Sequence, residues 1–194
     1  GEGISAGAAA VEEDLQEGEK GPEAQEGEGI VDPTAYQRCG TFEAEVRNVS
    51  VLNESGEESE SFVSGERASV RLHIQCHKDL DNPAVGMILT RYDQGWGSIV
   101  YNTNTQWRGI DLGSLKRGDE IEVRFEQIFP LGEGTYYLNV GMAHRNDSKL
   151  IDWHENRRAI RITKGESGWE GAVNLNSRVN VFRLSSSSPP SEKK

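Results

Sequence analysis

From Thr41 onward, apolar and polar residues alternate in short runs that Gly, Asn, Asp or Pro interrupts about every 8 to 12 residues. No long 3.6-residue period appears, so the pattern predicts strands and not helices. Phe42, Ala44 and Val46 open a first strand running towards Leu52, which Asn53-Glu54-Ser55-Gly56 closes with turn chemistry. Ser61-Phe62-Val63 follows, and then Ala68 to Cys76 places Val70, Leu72, Ile74 and Cys76 on one face against Arg71, His73 and Gln75 on the other. Ala84 to Tyr92 is apolar on both faces and reads as a central strand. Asp93-Gln94-Gly95 turns it into Gly97 to Asn102, and Thr103 to Arg117 reads as loop. Glu120 to Ile128, Thr135 to Ala143, Asp152 to Ile162 and Asn174 to Leu184 supply the remaining strands. About nine strands, each with one face to bury, predict an all-β fold: two packed antiparallel sheets in an immunoglobulin-like or jelly-roll sandwich, with a closed barrel as the alternative.

Residues 1–35 depart from this pattern. The stretch is dense in Glu and Gly and without aromatic residues, so it buries too little apolar surface to offset its ordering entropy and reads as a disordered acidic linker. Domain organisation follows: linker over 1–35, sandwich over 36–184, a polar frayed end over 185–194. Residues 1–32 hold ten acidic residues and one Lys, so -9 of the net charge of -11 sits there and the body carries only -2. A nearly neutral body argues against a nucleic-acid backbone as ligand and suits a neutral one. No run of 18 apolar residues exists, and the N-terminus lacks a signal-peptide pattern. The chain does not begin with Met, so it reads as a piece of a longer polypeptide. Cys39 and Cys76 read as free thiols, with a disulfide as the minority alternative.

Catalytic motifs are missing by type: no phosphate-binding loop, no dinucleotide fingerprint, no H-E-x-x-H and no G-x-S-x-G. His73 and His77 would lie roughly 13 Å apart on a strand, too far to share one metal ion, so neither a metal nor any other cofactor is expected. What the body does show is aromatic and amide side chains gathered at turns: Trp96 in Gly95-Trp96-Gly97, Trp107 within Asn102 to Arg108, and Trp153 at the start of a strand. Sugars present apolar C–H faces and many hydroxyls, so a flat ring ringed by amides suits them. Trp96 and Trp153 could equally cap the core.

An ordered series of short motifs carries a family resemblance. Gly40-Thr41-Phe42-Glu43-Ala44-Glu45-Val46, Phe62 with Ser64-Gly65-Glu66, Asn82-Pro83-Ala84-Val85-Gly86, Val100-Tyr101-Asn102-Thr103-Asn104-Thr105 and Leu131-Gly132-Glu133-Gly134-Thr135-Tyr136 occur in that order. Asp152-Trp153 with Ala159-Ile160-Arg161-Ile162 then fits a penultimate strand. Over roughly residues 38 to 184 the chain resembles the carbohydrate-binding C-terminal domain of the Wzt type, which follows the ATPase domain in transporters exporting bacterial O-antigen polysaccharide. The resemblance implies a noncatalytic, immunoglobulin-like domain that recognises the nonreducing terminal region of the glycan and forms a homodimer by exchanging its C-terminal strand. It further implies a cytoplasmic protein, peripheral on the inner membrane, that reaches a transporter membrane subunit through an ATPase domain not in this sequence. The alternatives are a protein-interaction sandwich whose edge pairs with a partner strand and, third, a sugar-active enzyme, for which no converging carboxylates can be assigned.

Strand alternation places the expected glycan site on the outer face of one sheet. Tyr137 and Asn139 point outward if Tyr136, Leu138 and Val140 fill the core, and Asn102 points outward if Ile99 and Tyr101 point inward. Of Arg91 and Tyr92, only one can line this face, and Tyr92 is the choice. Trp107 and Tyr137 would stack on sugar rings, Asn102, Asn104, Gln106 and Asn139 would bond hydroxyls, and Arg108 would meet an acidic substituent.

Overall fold

The computed structural model describes residues 32–145, 149–165 and 168–182. Within them the chain forms eleven strands and no helix: β1 (Gln37–Cys39), β2 (Ala44–Leu52), β3 (Ser61–Val63), β4 (Arg67–Cys76), β5 (Leu80–Asp81), β6 (Ala84–Asp93), β7 (Trp96–Asn104), β8 (Ser114–Leu115), β9 (Glu120–Ile128), β10 (Gly134–Ala143) and β11 (Leu150–Thr163). The larger sheet runs β1-β11-β10-β6-β7, and β3 also pairs with β11; the second runs β2-β4-β9, and β5 pairs with β8. The two large sheets make the antiparallel sandwich that the alternation predicts. One pairing departs from it: β3 joins the later part of β11 in parallel, with Phe62 opposite Ile162, while β1 joins the earlier part antiparallel.

Alternation decides which side chains enter the core. Val70, Leu72, Ile74 and Cys76 of β4 are buried, as are Val85, Met87 and Leu89 of β6 and Tyr136, Leu138, Val140 and Met142 of β10. They belong to one apolar cluster, so the sheets share a single core. Burying each such side chain contributes about 1.5–3 kcal/mol, which is why register is strongly fixed: a one-residue slip would turn a whole row to solvent.

Several expectations need correction. Asn174 to Leu184 is not a strand in the described residues: only Val173 makes an isolated bridge, to Leu131, and 174–182 runs on without a ladder. Burial shows why the pattern misleads, since Leu175, Val179, Val181 and Phe182 are 81–85% exposed and no described residue covers them. Ile99 does not face inward: a bulge at Val100 pairs Tyr101 with Leu89 but Ile99 with Thr90, reversing the alternation, and Ile99 is exposed. The expected loop from Thr103 also begins later, because β7 continues to Asn104, and it is interrupted by β8. Residues 32–35, assigned to the linker, are held by Asn156, whose Nδ2 donates to the carbonyls of Pro33 (3.1 Å) and Ala35 (3.2 Å). The rest of the linker and the frayed end, 1–31 and 183–194, lie outside the described residues. Both cysteines are free thiols, Cys39 exposed and Cys76 buried.

Candidate functional site

On the outer face of the larger sheet, four residues line up across four strands: Trp153 of β11, Gly141 of β10, Gly86 of β6 and Asn104 of β7. Two glycines side by side remove the side chains from the middle of this row. The Trp153 ring fills part of the space, because a Cβ added at Gly141 would fall 2.7 Å from Trp153 Cε3 and against the Asp152 carbonyl oxygen. A Cβ at Gly86 would meet the Asn104 Cβ and the Thr103 carbonyl oxygen, each at 3.2 Å. Isolated glycines inside strands mark such close approaches. The result is a trough of about 350 Å³ with glycine in its floor, Trp153 on one side and Asn102, Asn104, Gln106 and Trp107 on the other.

Asn104 builds the far wall. Its Oδ1 accepts the Trp107 N–H at 2.7 Å and its carbonyl accepts the Arg108 N–H at 3.2 Å, closing the turn that presents Trp107. Trp107 is 65% exposed, so its ring is available to a ligand and is not part of the core. His144 and Arg145 close one end; His144 Nε2 lies 2.9 Å from Glu43 Oε2. The Thr41 hydroxyl, and then His144, hold the Glu43 carboxyl at about 2.

The trough thus gathers Asn102, Asn104, Gln106 and Trp107. The other expected residues lie elsewhere. Tyr92 and Tyr137 do share the outer face, with ring centroids 5.2 Å apart at 81°, but six residues along β6 from Gly86 puts Tyr92 roughly 20 Å away. Asn139 occupies the outer face too, yet it is buried and internally committed: Nδ2 donates to Thr90 Oγ1 at 2.9 Å, and Oδ1 accepts the Asn156 N–H at 2.8 Å. Arg108 lines a different cleft, with Tyr101, Ile110 and Phe125, between the free edges of β7 and β9. Sequence reasoning passed over Gly86 and Gly141, and it offered Trp153 as an aromatic candidate or a core cap without placing it in the site. The signal was present in Val85-Gly86-Met87 and Val140-Gly141-Met142, where a glycine interrupts a strand at an outward position.

Behind Trp153, on the inner face of β11, sits a second polar cluster. Asp152 is fully buried; Arg38 donates to its Oδ1 from Nε (2.7 Å) and to its Oδ2 from Nη2 (2.9 Å), and the Val46 N–H donates to Oδ2 at 2.7 Å. Buried His154 places Nε2 3.0 Å from the same oxygen and Nδ1 2.8 Å from the Tyr36 hydroxyl. An ionised carboxylate only accepts, so the His154 Nε2 carries a proton and donates it towards Asp152. Burial alone would push the Asp152 carboxyl up, but the hydrogen bonds from His154, Arg38 and Val46 outweigh it and leave it at about 2. Both carboxylates are held by internal partners, Asp152 by Arg38, His154 and the Val46 N–H, and Glu43 by the Thr41 hydroxyl and His144. His73 and His77 pair separately with Glu120 and Glu45.

Among solved structures the fold is similar to the crystal structure of the C-terminal domain of Wzt, with 20% identity and a TM-score of 0.69 over 76% of this chain and 89% of that chain. A Niemann-Pick type C2 protein from Japanese carpenter ant gives 13% identity and a TM-score of 0.47 over 66% of this chain and 99% of that one, too slight a likeness to bear on function. No curated protein matches at the level of sequence. The Wzt C-terminal domain family, however, matches residues 35–175, most of the chain, and this protein therefore belongs to that family.

Proposed function

We propose that this domain binds, without chemistry, the nonreducing terminal region of an O-antigen polysaccharide in the trough between Trp153 and Trp107, as part of an ABC transporter that exports it. Family membership supports a carbohydrate-binding domain of such a transporter, and with it a cytoplasmic ATPase subunit; among the described residues no helix is long and apolar enough to cross a membrane. The observation that carries the reading is the transverse row Trp153–Gly141–Gly86–Asn104. Two glycines open room for a flat ring between an indole and a set of amides, which is what a sugar with apolar faces and hydroxyl edges requires. The chain from Gln94 to Trp107 holds no charged residue, so this wall favours hydroxyl contacts over ionic ones.

The same unit forms a homodimer by exchanging the segment after Val173. Four apolar residues of that segment stand exposed without a sheet to join, which a second copy would supply. The test is calorimetric titration of wild-type protein and Trp107→Ala with purified O-polysaccharides of different serotypes. One polysaccharide should bind, and the variant should bind it about tenfold or more weakly. Flat titrations across a broad panel, alongside capture of a protein strand at the β7 edge, would favour the protein-interaction reading instead.

A further inference from the structure

We propose that Tyr36 and Arg38, in an N-terminal strap formed by residues 32–39, are positioning residues for the trough: they fix Asp152 and His154 on the inner face of β11 so that Trp153, between them, lies across Gly141 on the outer face. On a strand the direction of one side chain is set by its neighbours, which point the opposite way. Asp152 and His154 are both buried, and each takes a side-chain contact from the strap, Arg38 on Asp152 and Tyr36 on His154. Their backbones frame Trp153, whose register partners are Gly141 on one side and Cys39 of the strap on the other.

This stretch of β11 needs fixing because the ladder beside it is interrupted. Between the pairs Leu138–Arg158 and Val140–His154, β11 carries three residues opposite the single Asn139. Asn156 sits in that bulge at a φ of 52°. Its Nδ2 holds the strap carbonyls of Pro33 and Ala35, and its Oδ1 accepts from the Tyr92 hydroxyl at 3.3 Å. Arg157 adds a guanidinium 5.7 Å from the centre of the Tyr36 ring. A bulge bends its strand, and here the strap supplies the contacts that the regular ladder lacks. The strap itself touches no part of the trough's far wall, so its effect on a ligand runs through Trp153.

The consequence for affinity rests on the proposed glycan site; the positioning of Trp153 does not. A full-length protein with Trp96→Phe, Trp107→Phe and Trp169→Phe keeps Trp153 as its single indole. Trp96 and Trp107 are exposed and Trp169 lies outside the core cluster, so the fold tolerates the changes. In that background Tyr36→Phe, Arg38→Gln and Asn156→Gly should each raise acrylamide quenching of Trp153, by about twofold for Arg38→Gln, while the circular dichroism of the sandwich is kept. Lys116→Ala, which breaks the remote pair with Asp79, is the control and should leave quenching alone. In the native tryptophan background, the same strap variants should bind the polysaccharide found by titration about fivefold more weakly. Quenching unchanged in all three strap variants, even with a lowered melting temperature, makes the strap a plain stabiliser and overturns the proposal. Quenching that rises while wild-type protein binds no polysaccharide upholds the positioning and rejects the glycan reading.

Discussion

Replacing Asp152 by Asn tests a buried carboxylate that four hydrogen bonds hold. The carboxylate is fully buried and accepts from Arg38 twice, from His154 and from the Val46 N–H, so its two oxygens face donors only. An amide of the same shape must aim an NH2 at one of those donors and leaves the Arg38 guanidinium only its longer contact to Glu45, at 3.4 Å. Breaking a buried pair in this way costs about 3–5 kcal/mol, and Asn, which retains one acceptor, should fall near the lower end. The pH dependence is the sharper signature. Folding lowers the Asp152 pKa from 3.8 to about 2, so its contribution is complete above the unfolded value and is lost as pH falls through the native one. At about 1.4 kcal/mol per pKa unit this acid-sensitive part is about 2 kcal/mol. Glu43, also held at about 2, titrates in the same window but does so in both proteins and cancels in the difference. Urea unfolding of wild type and Asp152→Asn at pH 7, 5, 3.5 and 2.5 should show a gap that is constant down to pH 5 and narrows by about 2 kcal/mol towards pH 2. A gap that stays the same size to the lowest pH would refute the assignment, because a carboxylate stabilised by these donors cannot lose its charge without losing their interaction.

Other perturbations separate site from scaffold. Gly86→Ser places its Cβ 3.2 Å from Asn104 Cβ and from the Thr103 carbonyl oxygen and fills the trough, so glycan titration should weaken about tenfold or more in a protein that still folds by circular dichroism. Gly141→Ala drives a Cβ into the Asp152 carbonyl and the Trp153 ring and should instead destabilise the fold by about 1–3 kcal/mol, read by denaturant midpoint. Tyr137→Ala should lower stability through the lost Tyr92 contact yet leave titration in the trough near wild type, because the pair lies away from it. Ending the chain after Ala172 should turn a dimer into a monomer by light scattering; a dimer that persists rules out exchange of the C-terminal segment.

The alternation of β4 and β10 made their core faces readable, because a strand buries every second residue and solvent rejects the wrong parity. Trp107 and its amides were readable for a related reason: an indole among polar residues in a turn has little core to enter. Where alternation is broken, the reading failed. One extra residue at Val100 turned Ile99 outward, and nothing in Ser98-Ile99-Val100-Tyr101 announces it. The C-terminal segment shows the converse, a strand-like sequence that beyond Val173 joins no ladder among the described residues, because pairing depends on a partner and not on propensity alone.

By itself, then, the sequence determined the all-β class, the positions of the long strands and the side chains that fill the core, since each follows from local periodicity and the expulsion of apolar surface from water. Only the tertiary structure brought the candidate trough together. Trp153, Gly141, Gly86 and Asn104 are separated by 12, 55 and 18 residues at successive pairings and meet through the register of three strand pairings. That same register committed Asn139 to internal hydrogen bonds, while the turn after β7 sent Arg108 to another cleft. A strand tells a side chain which face to take, but its neighbours on that face are chosen by ladders between distant segments, and no local pattern encodes them.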